Sequence, residues 1–156
     1  MVPATYLTSK ELDLCSQVRA MCACNQLRRA TRGITALYES ALAPSQLKAT
    51  QLPILVGLGS TGDLSVTTLA DALALDRTTL TRNLKVLEAR GLVRTSESEE
   101  DARVRMVSLT LEGADVLSSA LRRWEEIQHV VEERFGRARL AALYDELDAL
   151  GDAVAA

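Results

Sequence analysis

Between Ser65 and Leu109 the chain carries two short amphipathic segments, each opened by a capping residue, and then two alternating stretches. Ser65 is placed to cap a short helix carrying Leu69, Ala72 and Leu73, with a break at Leu75. Asp76 caps a second helix. Its apolar face is Leu80, Leu84 and Leu87, which leaves Arg77, Thr78, Thr81, Arg82 and Lys85 largely to the outside. Arg90-Gly91 stops it, and Leu92–Thr95 and Val104–Leu109 then read as two strands of a hairpin around the polar stretch Ser96 to Arg103.

Longer helices flank this unit. Thr8 and Glu11 fit a capping box, from which a helix is predicted over about Lys10 to Leu42, with Leu14, Val18, Met21, Leu27, Ala30, Ile34, Leu37 and Ala41 at helical spacing. Gly33 is its one weak point. Pro44 and Ser45 end it, Thr50 caps the next helix with Pro53 in its first turn, and Gly57, Gly59 and Gly62 close that one. Thr110 caps a long helix whose seam is Ala114, Leu117, Leu121, Trp124, Gln128, Val131 and Phe135. Gly136 ends it, and Leu140, Leu143, Leu147, Leu150 and Val154 continue the spacing on a last helix.

The fold class is therefore mainly α with a small β-hairpin wing. Two short helices, the second basic outside, and a hairpin with an arginine near its tip describe a winged helix-turn-helix. The domain reading is an N-terminal helix over 1–42, a winged helix-turn-helix domain over 43–110, and C-terminal helices over 111–156, the outer helices taken as dimerisation helices only on the resemblance described below.

The net charge of -3 conceals a local excess, because Asp76 to Arg94 holds five basic residues against two acidic ones. A basic strip on an acidic protein suits a focused contact with a polyanion. Aromatic residues are only 3% of the chain, which argues against single-strand binding on stacking platforms. No run approaches the roughly 18 uncharged apolar residues of a membrane helix, so a cytoplasmic address is expected, with no membrane partner. An enzyme is not expected: the chain has no Gly-rich phosphate loop, no GxSxG, no CxxC, and a single histidine, His129, read as an exposed helix residue.

The stretch Leu69 to Val93, LADALALDRTTLTRNLKVLEARGLV, resembles the recognition-helix region of the MarR family of bacterial transcriptional regulators. Asp101-Ala102-Arg103, followed by Val107-Ser108-Leu109-Thr110, is similar to that family's wing signature. With the flanking helices, the resemblance covers nearly the whole chain. Leu111 stands where the family usually has Pro, and Ala102 where a second basic residue is common.

The resemblance implies a DNA-binding helix from which Arg77, Arg82 and Lys85 reach phosphates or guanine edges and Thr78, Thr79 and Thr81 meet phosphates or thymine methyls. It implies a wing whose Arg103 enters the minor groove with Asp101 orienting its guanidinium, and Arg105 as a phosphate contact. The acidic run Glu97, Glu99, Glu100 and Asp101 opposes phosphate contact unless those side chains face water. A scaffold that has lost DNA binding is the alternative.

The helical seams exceed what a small winged core can cover, and the family's members dimerise through their terminal helices, so a homodimeric repressor is expected. Cys15, Cys22 and Cys24 cluster in the first helix. On a continuous helix Cys15 and Cys22 share a face about 10 Å apart along the axis, and Cys24 points nearly the opposite way, so no bridge forms within the helix. Arg19, Arg28 and Arg29 place positive charge nearby, as a redox sensor needs, and Cys22 to Ala30 resembles a stretch from one branch of the family. Buried apolar cysteines are the plainer reading. The resemblance also implies release by a small effector, often an aromatic or phenolic acid, and thiolates from two chains could instead collect a soft metal ion. No cofactor is required.

Overall fold

The computed structural model describes residues 6–155. The expected domain limits 1–42 and 111–156 therefore include residues, 1–5 and 156, that lie outside the described ones. The chain forms two compact units, Met1–Leu37 and Tyr38–Ala156.

The first unit holds α1 (Ser9–Met21) and most of α2 (Ala23–Leu42). Thr8 and Glu11 form the expected capping box: the Thr8 hydroxyl accepts from the Glu11 amide, and the Glu11 carboxylate accepts from the Thr8 amide at 2.6 Å. The single long helix expected over Lys10 to Leu42 is instead two helices, broken at Cys22 (φ -65°, ψ 109°), while Gly33 sits inside an uninterrupted α2. Cys22 serves both helices, its amide donating to the Val18 carbonyl and its carbonyl accepting from the Gln26 amide. The Gln26 side chain donates to the Ala20 carbonyl at 3.0 Å and so satisfies an acceptor that the break would orphan. The continuous-helix placement of Cys22 and Cys24 therefore does not hold. All three thiols are free, Cys15 and Cys24 exposed and Cys22 half-buried.

The second unit contains the winged core. A 3-10 turn (Ala43–Ser45) leads to α3 (Leu52–Thr61), which Gln51 caps by its backbone instead of Thr50. The Thr50 hydroxyl turns to Asn83, at 3.3 Å. Gly57 and Gly59 lie within α3 and only Gly62 closes it. The reason is packing: a Cβ at Gly59 would lie 2.7 Å from a Leu117 methyl, so the missing side chain admits a neighbouring helix.

Strand β1 (Leu64–Ser65), helices α4 (Val66–Ala72) and α5 (Arg77–Ala89), and strands β2 (Val93–Glu97) and β3 (Arg105–Leu109) follow. The two-stranded hairpin expected from the sequence is a three-stranded antiparallel sheet of order β1-β3-β2, in which Leu64 pairs with Val107 and Thr95 also with Val107. A two-residue strand leaves no alternation to read. Ser65, Asp76 and Thr110 cap α4, α5 and the long α6 (Leu111–Phe135), each side chain accepting from the amide three residues on. Gly136 ends α6 and α7 (Arg137–Val154) completes the chain.

Leu42, Ile54, Leu55, Leu69, Leu80, Leu87, Leu92, Val93 and Val107 are fully buried in one cluster, which Leu117 and Ala120 of α6 join. Each buried leucine contributes about 1.5 to 3 kcal/mol relative to exposure. The expected face of α5 is the face that is buried, and that fixes which side of α5 meets solvent.

Candidate nucleic-acid interface

Helix α5 is held at both ends. Asp76 accepts from the Thr79 amide at 2.8 Å and from its hydroxyl at 2.6 Å, and these two bonds hold the Asp76 carboxyl below the usual aspartate range. At the other end Gly91 (φ +71°) closes a Schellman motif, with the Leu92 amide donating to the Leu87 carbonyl and the Gly91 amide to that of Glu88. The Arg90 guanidinium donates to the Gln46 and Ser45 carbonyls at 2.6 and 3.2 Å, tying the end of α5 to the turn before α3.

Arg77, Thr78, Thr81, Arg82 and Lys85 are all exposed and line a shallow groove along α5. Thr79 is half-buried and its hydroxyl is engaged by Asp76, so it serves the cap. The Thr81 hydroxyl donates to the Arg77 carbonyl one turn back.

At the wing, Arg103 Nε donates to both carboxylate oxygens of Asp101 at 3.0 and 3.2 Å, and Nη2 donates to one at 2.9 Å. The Arg103 amide donates to the same carboxylate. Asp101 thus orients the guanidinium as expected, while the arginine side chain remains 90% exposed. The pairing lowers the Asp101 pKa through the side-chain bond first and the backbone bond second, and it raises that of Arg103.

Helix and wing face one cleft of about 400 Å³, whose walls include Arg77, Thr81 and Lys85 on one side and Arg103 and Arg105 on the other. Ser65, Thr67, Glu88 and Thr95 also line it. Of these four the sequence marks only Ser65, and that as a helix cap. Thr67 and Thr95 look like ordinary polar positions until the fold brings α4 and β2 to the cleft. His129 is exposed and lies 3.6 Å from Glu133, away from this interface. Among the described residues no group of three or more histidine, cysteine, aspartate or glutamate side chains could hold a metal ion, and no helix is long and apolar enough to cross a membrane.

A sequence profile of the MarR family matches residues 45–104. The organic hydroperoxide resistance transcriptional regulator of Bacillus subtilis (strain 168) is 35% identical over 91 residues, 58% of this chain and 62% of that protein. The chain thus matches somewhat less than two thirds of that curated relative's length. The M. tuberculosis transcriptional regulator MosR, solved in complex with DNA, is 35% identical with a TM-score of 0.69, over 83% of this chain and 98% of the other. Bordetella bronchiseptica BpsR, whose DNA binding is regulated by 6-hydroxynicotinic acid, is 26% identical with a TM-score of 0.76, over 83% and 93% of the two chains. With the capped α5, the Asp101–Arg103 pair of the wing and these likenesses in agreement, the chain belongs to the MarR family of winged helix-turn-helix transcriptional regulators.

Proposed function

We propose that the protein is a homodimeric repressor that binds a pseudo-palindromic operator in duplex DNA, with α5 in the major groove and the wing in the adjacent minor groove. The observation that carries this reading is the cleft in which Arg77 and Lys85 of α5 face Arg103 and Arg105 of the wing. Arg77, Arg82 and Lys85 contact phosphates or guanine edges, and Thr78 and Thr81 contact phosphates or thymine methyls. Arg103, held flat by Asp101, enters the minor groove, where a narrow A/T-rich segment concentrates negative potential. Such a regulator works in the cytoplasm beside the chromosome.

Dimer formation is supported by unpartnered apolar surface. α1 has no buried residue, α7 has only Leu140, and Leu121, Trp124, Leu143, Leu147 and Leu150 are exposed at helical spacing. A second copy covering the terminal helices sets two recognition helices about one DNA turn apart.

Release follows when an effector favours a different spacing, which requires only a few kcal/mol of differential affinity between the two states. Two sites support this. Leu109, Leu117, Leu121, Trp124 and Arg122 line an open groove of about 550 Å³ where α6 meets the core, suited to an aromatic acid such as the one that regulates BpsR. The exposed Cys15 and Cys24 and the half-buried Cys22 are open to oxidation, as the hydroperoxide-linked relative suggests. A thiolate attacks an organic hydroperoxide, the S–O bond forms as O–O breaks, and the alcohol leaves with a proton from water. A soft metal held by thiolates of two chains would act at the same place.

Fluorescence anisotropy of duplex DNA from upstream of the protein's own gene tests the reading, first with reductant and then with cumene hydroperoxide. Salt-sensitive binding, lost on oxidation and restored by reductant, is the expected result. Binding indifferent to oxidation would retain the repressor and transfer the signal to a small ligand, and absence of binding would leave the scaffold reading.

A further inference from the structure

A carboxylate has no evident place in a cleft built for phosphates, yet Glu88 lines it between Lys85 and the wing. Its Oε1 accepts from the Thr95 amide at 3.1 Å and from the Thr95 hydroxyl at 2.6 Å. The hydroxyl proton being thus committed, the Thr95 oxygen accepts from Arg105 Nη2 at 3.2 Å. These three residues form one directed chain from the last turns of α5 to the far strand of the wing, and hydrogen bonds in such a chain strengthen one another.

The sheet explains why Thr95 is available. In the order β1-β3-β2, β2 is an edge strand, and its Thr95 amide points away from β3. Glu88 occupies that open edge. Thr95 pairs with Val107, so Arg105, two residues away on β3, lies on the same face and within reach.

We propose that Glu88 and Thr95 are positioning residues that latch the wing to the recognition helix and set Arg105 at the mouth of the cleft. This assignment rests on the DNA-binding reading above. The latch fixes the angle between the two DNA-contacting elements before DNA arrives, so the wing reaches the minor groove without first being ordered. It also explains an acidic residue beside Lys85: the carboxylate is used as an acceptor, and its charge is incidental.

The test separates acceptor from charge. Glu88→Gln keeps an Oε1 that accepts both bonds, whereas Glu88→Ala keeps none. Without DNA, exchange of the Thr95 amide hydrogen is slow in the wild type and in Glu88→Gln and fast in Glu88→Ala. With duplex from upstream of the protein's own gene, Glu88→Ala loses about tenfold in affinity, and Glu88→Gln binds at least as tightly as wild type. In an Arg105→Ala background the Glu88→Ala loss shrinks to about twofold or less, because the two residues act through one another. Equal affinity gains in both Glu88 variants would show a charge that merely repels phosphate and would overturn the latch. So would a full loss in the Arg105→Ala background, or a Thr95 amide indifferent to Glu88. A wild type that fails to bind DNA while its Thr95 amide remains Glu88-protected would instead overturn the DNA-binding reading.

Discussion

Gly113 packs so tightly under the Leu92 carbonyl that an added Cβ would lie 2.0 Å from that oxygen. The same carbonyl accepts from the Thr110 amide, and the Thr110 hydroxyl both donates to the Gly91 carbonyl and accepts from the Gly113 amide. The first turn of α6 is thereby pinned to the end of α5. Leu111, the first residue of α6, is 89% exposed and takes no part. Gly113→Ala must displace backbone and is expected to destabilise by about 1 to 3 kcal/mol. Gly33→Ala, with nothing within 4 Å of the added atom, should stabilise by roughly 0.5 to 1 kcal/mol. Urea unfolding midpoints of the two variants should move in opposite directions.

Ala74 occupies the left-handed region (φ +49°) in the turn between α4 and α5, closing a Schellman motif in which the Leu75 amide donates to the Ala70 carbonyl. A side chain is strained there. Ala74→Gly is expected to raise stability by about 0.5 to 1 kcal/mol, the relief of strain exceeding the added freedom of the unfolded chain. Thermal unfolding measures it.

Asp76, Asp101 and Glu11 all have pKa values lowered by hydrogen bonds to their charged forms. A lowered folded-state value stabilises above the unfolded pKa and is lost as pH falls through the folded one. Stability should therefore hold from neutral pH into the ordinary carboxylate range and fall below it. Asp76→Asn keeps the cap acceptor and removes one titration, so its thermal midpoint should depend less on pH in acid than that of the wild type.

Leu147 lies on the exposed apolar stripe of α7. In sedimentation velocity, Leu147→Glu should shift the proposed dimer toward monomer and weaken operator binding, since on that proposal one winged unit covers only a half-site. The chain's one tryptophan, Trp124, is 40% exposed in a single chain, and its emission should move to the red in the Leu147→Glu variant as the proposed partner's cover is lost.

The legible parts of this fold are those with strong local signals. Caps at Thr8, Ser65, Asp76 and Thr110 and the stops at Gly91 and Gly136 are each set within one turn of chain, and all are present. The break at Cys22 carried no such signal, since it involves neither glycine nor proline and is stabilised by the Gln26 side chain. β1 exists only because β3 is there to pair with it. At the interface, the pairing of Asp101 with Arg103, two positions on, was implied by the resemblance of the wing. Glu88 and Thr95 join across seven positions and two elements, and Thr79 is drawn into its own cap, so neither outcome could be read from spacing.

The most direct measurement is the affinity of the wild type and of Arg103→Ala for duplex DNA from upstream of the gene, followed by fluorescence anisotropy across a salt series. For the wild type, log affinity should fall linearly and steeply with log salt, and Arg103→Ala should bind about ten- to a hundredfold more weakly. Arg103→Lys should not restore binding, because an ammonium cannot donate the planar fork through which the guanidinium pairs with the Asp101 carboxylate. Wild-type affinity that ignores salt, or an Arg103→Ala variant that binds as well as the wild type, would contradict the DNA-binding reading.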